Sequence, residues 1–125
     1  LVRDSGGCGT WRGGMGMRRQ VRVLDHECRV TVRGTRIETA PWGLFGGHDG
    51  GRHRVEYEAG VAALERSTGV LAPGQSIAIV TPGAGGYGPV RERATEMIAE
   101  DLREGWITPE CARRDYGCES DTSCR

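Results

Sequence analysis

The side chains best able to do chemistry in this 125-residue chain are three histidines and five cysteines. Two of the histidines, His48 and His53, stand close together in the sequence, with Asp49 between them. Imidazole and carboxylate groups in such a cluster could bind a metal ion or move protons. Because no neighbouring pair of carboxylates accompanies them, we favour polar surface groups over a catalytic centre.

The cysteines do not follow the pattern of a disulfide-rich or zinc-binding domain; they are Cys8, Cys28, Cys111, Cys118 and Cys124. Their number is odd, and residues 1–7 lack the basic end and apolar stretch of a secretory signal peptide. The gaps between the last three are wider than the close Cys pairs that start most structural zinc sites. We therefore expect reduced, mostly inert thiols in a cytoplasmic protein.

A glycine-rich run at residues 83–88 matches the dinucleotide-binding pattern G-x-G-x-x-G and follows a predicted strand. Such a loop can place a pyrophosphate at a helix N-terminus. Here no second parallel strand with a terminal acidic residue follows, so the β-α-β context is missing. We therefore predict a loop that needs positive φ angles or close backbone contacts. Its structural candidates are Gly83, Gly85, Gly86, Tyr87 and Gly88, with a nucleotide-binding module at the same residues as the alternative.

Two further glycine-rich segments carry large side chains that could anchor a partner. In residues 4–16, Trp11 and Arg12 are of the types that dominate interface hot spots. In residues 41–51, Trp42 and Phe45 are too large to stand exposed in a loop without a reason. Both pairs are candidates for an interface. The alternatives are an ordinary solvent-facing loop for the first segment and a plug against the sheet for the second.

The composition excludes several kinds of chemistry and disfavours two kinds of partner. The sequence has no G-x-S-x-G elbow, no H-E-x-x-H motif and no Walker loop. All 17 basic residues are Arg, so a Schiff-base Lys or a phosphate-binding Lys is excluded. The 17 acidic residues balance them, which gives no electrostatic case for nucleic acid or an anionic membrane. No apolar run reaches the roughly 18 residues of a membrane span.

Four short segments of alternating polarity predict β-strands: Gln20–Leu24, Cys28–Val32, Arg52–Tyr57 and Ser76–Val80. The polar residues 25–27 favour a hairpin that pairs the first two strands. Of the 21 glycines, 19 lie in the first 90 residues. Because glycine adds no side chain to a core and loses much entropy on ordering, a self-sufficient core is not expected there.

Residues 91–117 are predicted to form a helical hairpin. Apolar residues recur at spacings of three and four from residue 90 to residue 102 and form one helical stripe. Gly105 follows, where a left-handed cap is needed. Thr108 then fits the N-cap of a second helix, a proline fits its first position, and Gly117 ends it.

The predicted fold class is α+β, as part of a larger subunit. A small Gly-rich antiparallel β module over residues 1–90 precedes the helical hairpin over residues 91–117 and a Cys-containing tail over residues 118–125. The first residue is Leu1 rather than Met. This fits a piece of a longer chain, a processed product or an unusual start codon.

The order of the glycine-rich motifs is more specific than any one of them. In chain order they are Asp4-Ser5-Gly6-Gly7, Trp11-Arg12-Gly13-Gly14 with Gly16, Pro41-Trp42-Gly43-Leu44-Phe45-Gly46-Gly47, Pro73-Gly74, Thr81-Pro82-Gly83-x-Gly85-Gly86-Tyr87-Gly88, Arg103-Glu104-Gly105 and Ala112-Arg113-x-Asp115-Tyr116-Gly117. This series resembles the C-terminal end of hydantoinase B-type subunits, a family that includes N-methylhydantoinase and 5-oxoprolinase. Related subunits occur in acetone and acetophenone carboxylases.

The resemblance implies an enzyme of two components. A hydantoinase A-type partner would use ATP to phosphorylate a carbonyl or amide oxygen, and the hydantoinase B-type part would act on the activated substrate by hydrolysis or carboxylation. ATP and a divalent metal are thus implied for the full complex, and the remainder of the subunit and the ATP-using subunit are the implied partners. The family's metal ligands are expected outside this segment, so no catalytic, cofactor-binding or metal residue carries over to this chain. A non-catalytic assembly subunit is the alternative.

Overall fold

The computed structural model describes residues 1–64 and 67–118 of the chain. Five short strands are followed by a 3-10 turn and two helices. Their bounds are β1 Arg18–Arg22, β2 Cys28–Thr31, β3 Arg54–Tyr57, β4 Thr68–Leu71, β5 Ser76–Val80, the turn Val90–Glu92, α1 Thr95–Arg103 and α2 Pro109–Tyr116. The α+β class predicted from the sequence is confirmed. Within the described ranges, no helix has both the length and the apolar character needed to cross a bilayer.

The strands form two antiparallel sheets. In the larger one, β5 lies between β1 and β3, so that Ala78 is opposite both Gln20 and Glu56. In the smaller one, β2 pairs with β4, and Cys28 is opposite Leu71. The central strand β5 is the most buried of the five, with four of its five residues inaccessible to solvent.

The predicted hairpin between the first two strands is wrong, because β1 and β2 belong to different sheets. The end of β1 is held instead by the turn before β5. Val23 N donates to Gln75 O at 2.9 Å, and Gly74 N donates to Val23 O at 2.8 Å. Alternation of polarity identifies a strand but not its partner, and the partner here comes from more than 50 residues further along the chain.

The strand β4 is absent from the sequence-based predictions. It is four residues long, and Gly69 interrupts its apolar pattern. Its Leu71 is nonetheless fully buried. The packing of Leu71 against Val23, Val32 and Ile77 makes one core that the two sheets share.

The cap residues of the helical hairpin agree with the prediction, but its first helix begins later in the chain than predicted. Thr108 caps α2 by accepting a hydrogen bond from Cys111 N, and Gly105 and Gly117 adopt positive φ angles of 68° and 70°. The predicted stripe began at Val90, whereas the structure has a 3-10 turn there and α1 begins at Thr95. The backbone is extended at Arg93, and its side chain forms a buried ion pair with Asp101.

A second apolar core joins the helices to the N-terminal glycine-rich segment. Its buried members are Cys8, Ile98, Ile107, Cys111, Ala112, Tyr116 and Cys118. All but Cys8 come from residues 98–118, so Cys8 is the point at which the glycine-rich chain enters this core. Cys118 is disulfide-bonded, which corrects the expectation that the thiols are reduced. The rest of the predicted Cys-containing tail lies outside the described residues.

Candidate functional site

Three glycine-rich segments, residues 5–16, 41–51 and 81–88, run side by side; we call them the glycine stack. Backbone hydrogen bonds join them, from Gly7 N to Ala84 O at 2.8 Å, from His48 N to Cys8 O at 2.7 Å and from Gly86 N to His48 O at 2.9 Å. The segments are therefore hydrogen-bonded to one another as in a small sheet, although the stack contains no long strand. It brings together the three segments that carry the sequence-predicted site residues.

Glycine is required where these backbones approach most closely. A Cβ atom at Gly83 would overlap the carbonyl group of Ser5, one at Gly85 that of Trp42, and one at Gly86 that of Cys8. Gly88 has a positive φ angle of 78°. The sequence prediction offered close contact or positive φ as alternatives for this loop. The first describes Gly83, Gly85 and Gly86, and the second describes Gly88.

The same geometry argues against nucleotide binding at residues 83–88. A phosphate-binding loop leaves its backbone N–H groups free to donate to the ligand. Here five of them donate to other segments of the chain; they belong to Gly83, Ala84, Gly86, Tyr87 and Gly88. No α-helix starts directly after the loop, because α1 begins only at Thr95. These residues do not fit a nucleotide.

An exposed group of large apolar side chains covers one edge of the glycine stack. Trp11 and Leu44 each form a β-bridge to Tyr87, and the rings of Phe45 and Tyr87 lie 5.1 Å apart. We call Trp11, Leu44, Phe45 and Tyr87 the aromatic surface. Phe45 is 74% exposed, and the other three are roughly half exposed or more. Trp11 and Leu44 pair with Tyr87 through the backbone and Phe45 contacts the Tyr87 ring, so the four exposed residues lie together around Tyr87 rather than scattered over the surface.

Phe45 is also held in an unfavourable backbone conformation, with φ at 51°. A bulky residue in the left-handed region costs roughly 1–3 kcal/mol, and such strain is concentrated at sites of binding or catalysis. Trp42, in the same loop, is exposed and lies 4.7 Å from the guanidinium of Arg36. Trp11, Trp42 and Phe45 are therefore all at the surface.

Arg12, in contrast, points into the chain. Its Nε lies 3.1 Å from Asp101 Oδ2, and the guanidinium stacks 5.3 Å from the Trp106 ring. Arg93 pairs with the same oxygen at 2.6 Å, and both Arg93 and Asp101 are almost fully buried. Arg12 thus ties the glycine stack to α1 and is not an exposed anchor.

A second polar group, which we call the thiol cluster, consists of Cys8, His48, Cys111 and Asp115. The Sγ atoms of Cys8 and Cys111 each lie 3.2 Å from Asp115 Oδ2. Ligand atoms of Cys8, His48 and Asp115 all lie within 4.8 Å of one another. Cys8 and Cys111 are buried, whereas His48 is exposed at the mouth of the cluster.

The thiol cluster shifts the protonation of its members. Arg114 donates to both oxygens of Asp115, at 2.8 and 2.7 Å, and lowers the pKa of that carboxyl to about 2. The pKa of Cys8 is lowered, chiefly because Cys111 can donate a hydrogen bond to the Cys8 thiolate. The same contact raises the pKa of Cys111, with burial as the second cause. One of the two thiols therefore ionises more readily than the other.

The structure separates the histidine group that the sequence singled out. His48 lies in the thiol cluster, whereas His53 is buried against Gly34. Asp49 Oδ1 accepts a hydrogen bond from Gly43 N at 3.0 Å and holds its own loop. Sequence reasoning missed the thiol cluster because Cys8 and His48 are far from α2 in the chain. The one local signal was the spacing of four residues between Cys111 and Asp115, which puts both on one helix face.

The amino-acid sequence of this chain is similar to part of the sequence of several longer proteins. The chain is 39% identical over 119 residues to an uncharacterised protein of Methanocaldococcus jannaschii, covering 93% of this chain and 21% of that protein. It is 34% identical to the B component of a putative D-/L-hydantoinase of a Pseudomonas species and 30% identical to the beta component of the caprolactamase of Pseudomonas jessenii. The matches cover 87% and 97% of this chain, but 19% and 22% of those proteins. The chain thus spans about a fifth of the length of these relatives.

Two solved structures contain the same fold as part of a larger chain. An ATP-dependent caprolactamase from Pseudomonas jessenii matches with a TM-score of 0.68 and 28% identity, over 94% of this chain and 22% of that chain. A nucleotide-free acetone carboxylase matches with a TM-score of 0.66 and 18% identity, over 94% and 20%. The family model for hydantoinase B/oxoprolinase matches residues 1–90, which contain the whole glycine stack. The chain belongs to the hydantoinase B/oxoprolinase family.

Proposed function

We propose that this chain is the C-terminal part of a hydantoinase B-type subunit. The enzyme would be an ATP-dependent hydrolase that opens a cyclic amide such as hydantoin or 5-oxoproline, or a related ketone carboxylase. Within it, the chain supplies part of the scaffold and of the contact between the parts of the enzyme. The names of the relatives support this, because they include components of a hydantoinase and of a caprolactamase. Since the reaction consumes ATP, the proposal places the enzyme in the cytoplasm.

The aromatic surface carries the proposal. Its four apolar residues, one of which is the strained Phe45, lie together and are exposed, as expected of a surface that is covered in the assembled protein. The occupant we assign to it is the remainder of the hydantoinase B-type subunit. The chain spans about a fifth of the relatives' length, so most of such a subunit lies outside it. No ATP-dependent step is assigned to these residues, because the loop at 83–88 does not fit a nucleotide.

Native mass spectrometry of the untagged chain, expressed together with its genomic neighbours, tests this assignment. We expect the chain to be detected in a complex with much larger chains. The variant Phe45→Ser should weaken that association at least tenfold, because it removes the most exposed aromatic ring of the surface. Leu24→Ser is the matched control, since Leu24 is equally exposed, at 75%, but lies outside the aromatic surface. A folded species at 13.5 kDa that binds none of its neighbours would overturn the proposal.

The alternative within the same family is a purely structural subunit of such a complex. The burial of Arg12, Arg93 and Asp101 inside the chain favours it, because these charged groups pair with one another and join the glycine stack to α1. Omitting the chain from the reconstituted complex separates the two roles. Loss of turnover with the other subunits still assembled would assign a catalytic contribution, whereas loss of assembly itself would assign the structural one.

A further inference from the structure

We propose that the thiol cluster of Cys8, His48, Cys111 and Asp115 is a zinc site that fastens the glycine stack to the helical hairpin. The inference goes beyond the proposed function and does not depend on it. It rests on the convergence of four side chains from three separate parts of the chain. Two of them, Cys111 and Asp115, lie one turn apart on α2. The other two come from different segments of the glycine stack.

The distances are close to those of a tetrahedral metal site. Zinc bonds of about 2.0–2.3 Å place neighbouring ligand atoms roughly 3.3–3.8 Å apart. Asp115 Oδ2 is 3.2 Å from the sulfur of Cys8 and 3.2 Å from that of Cys111. The ligand atoms of Cys8, His48 and Asp115 fit within 4.8 Å. His48 is exposed, so its side chain can move toward the other three ligand atoms.

The kinds of donor atom favour zinc over other common divalent ions. Thiolate and imidazole ligands suit Zn²⁺, whereas Mg²⁺ and Ca²⁺ prefer shells of oxygen atoms. The charges also balance. Two thiolates and one carboxylate carry three negative charges, and Zn²⁺ together with the guanidinium of Arg114 carries three positive ones. Arg114 already holds both oxygens of Asp115 and would orient that carboxylate from behind.

Binding exchanges bonds without any redox step. Without metal, each thiol donates a hydrogen bond to Asp115 Oδ2. In the metal-bound form two S–H bonds are replaced by two S–Zn bonds, and two protons pass to solvent. The His48 ring contributes a nitrogen lone pair without losing a proton. The backbone bond from His48 N to Cys8 O, at 2.7 Å, holds these two ligand residues next to each other before any metal arrives.

The position of the cluster indicates a structural role for the metal. Cys8 is the one buried member of the helical core that comes from the glycine stack. A metal bond between Cys8 and α2 would therefore cross-link the two parts directly. Four-coordinate sites made wholly of protein ligands are structural, because no position stays open for a substrate. We expect zinc to raise the Tm of the chain rather than to supply a catalyst.

The first test uses the full chain, stripped of metal with a chelator under an inert atmosphere, so that Cys8 and Cys111 stay free thiols and the disulfide of Cys118 stays intact. After exposure to Zn²⁺ and gel filtration, elemental analysis should find about one zinc per chain, and the Tm should be higher than that of the stripped protein. Substitution with Co²⁺ should give the intense sulfur-to-cobalt absorption of a tetrahedral thiolate site. A folded chain with free Cys8 and Cys111 thiols that binds neither ion would overturn the proposal.

Matched variants then assign the ligands. His48→Ala should weaken zinc binding at least tenfold without disturbing the core, because His48 is exposed; His26→Ala, at another exposed histidine, should not. Cys111→Ser should lower the sulfur-to-cobalt absorption by at least half, because it removes one of the two thiolates, whereas Cys28→Ser, at a free cysteine in β2, should leave it unchanged. Zinc binding that survives both His48→Ala and Cys111→Ser would count against the site. So would zinc lost with Cys28→Ser.

Discussion

The backbone of Gly86 lies directly against the carbonyl group of Cys8, so closely that a Cβ atom at position 86 would overlap it. A second contact adds to the constraint, because Gly86 N also donates to His48 O at 2.9 Å. Gly86 therefore touches both of the other segments of the glycine stack. Any side chain at this position must push one of these backbones away.

We expect Gly86→Ala to destabilise the chain by about 1–3 kcal/mol, which is the usual penalty for inserting atoms into a closely packed interior. Gly14→Ala is the matched control, because a Cβ at Gly14 would meet nothing within 4 Å. Urea unfolding of both variants against the parent chain measures the difference. Equal stabilities for the two variants would remove the packing role of Gly86.

The buried ion pairs of Asp101 give a second prediction. Asp101→Asn should destabilise the chain by about 3–5 kcal/mol, because it leaves Arg93 and Arg12 without a buried counter-charge. The exposed pair of Glu110 and Arg113, at 3.2 Å, provides the comparison. Glu110→Gln should change the free energy of unfolding by no more than about 1 kcal/mol. Thermal unfolding of both variants is the measurement, and a mild effect of Asp101→Asn would show that the pair is not needed for stability.

The helical hairpin shows how much local sequence can predict. Thr108, a proline at the first helical position and Gly117 each act through contacts within a few residues, and the structure has all three where they were expected. The start of α1 differs from the prediction. The backbone is extended at Arg93, whose side chain pairs with Asp101, an interaction that apolar periodicity does not register.

The pairing of strands and the thiol cluster could not be read from local patterns. The partner of β1 is β5, and the ligands of the cluster stretch from Cys8 to Asp115. In both cases the contact joins residues far apart in the sequence, which a local pattern does not register. For the run at residues 83–88 the sequence indicated either positive φ angles or close backbone contacts. It did not indicate which residue meets which condition or which backbones are in contact.

The strain at Phe45 gives a third prediction. Phe45→Gly removes an exposed ring and relieves a φ angle of 51°, at the cost of a more flexible unfolded chain. These effects oppose each other, so the stability of the chain should change by no more than about 1 kcal/mol. Association with the rest of the complex should nevertheless fall at least tenfold. Chemical unfolding and co-purification, measured on the same variant, test both halves.

The stability and the association of the Phe45→Gly variant test different parts of this prediction. A large loss of stability in Phe45→Gly would mean that the ring contact with Tyr87, rather than a partner, holds Phe45 in its strained conformation. Unchanged association would mean that the partner contacts some other face of the chain. Only a variant that stays folded and binds poorly fits a strained contact residue.

The last prediction concerns pH and the exposed face of the larger sheet. Glu56 on β3 accepts hydrogen bonds from Arg18 at 2.8 Å and from Arg54 at 3.2 Å. The bond from Arg18 is the main cause that lowers the pKa of Glu56 below its ordinary value of 4.5. A group whose pKa is lower in the folded state stabilises that state above its unfolded pKa, and this contribution is lost as the pH falls through the folded value.

Glu56→Gln should therefore be less stable than the parent chain at neutral pH and equally stable below the lowered pKa. Because the pair lies at the surface and is partly exposed to solvent, the gap should be small and should shrink further in high salt. Urea unfolding across this pH range measures the gap, with Arg18→Gln and the double variant completing a cycle that isolates the ion pair. A gap that stays constant with pH would mean that Glu56 acts through packing and not through its charge.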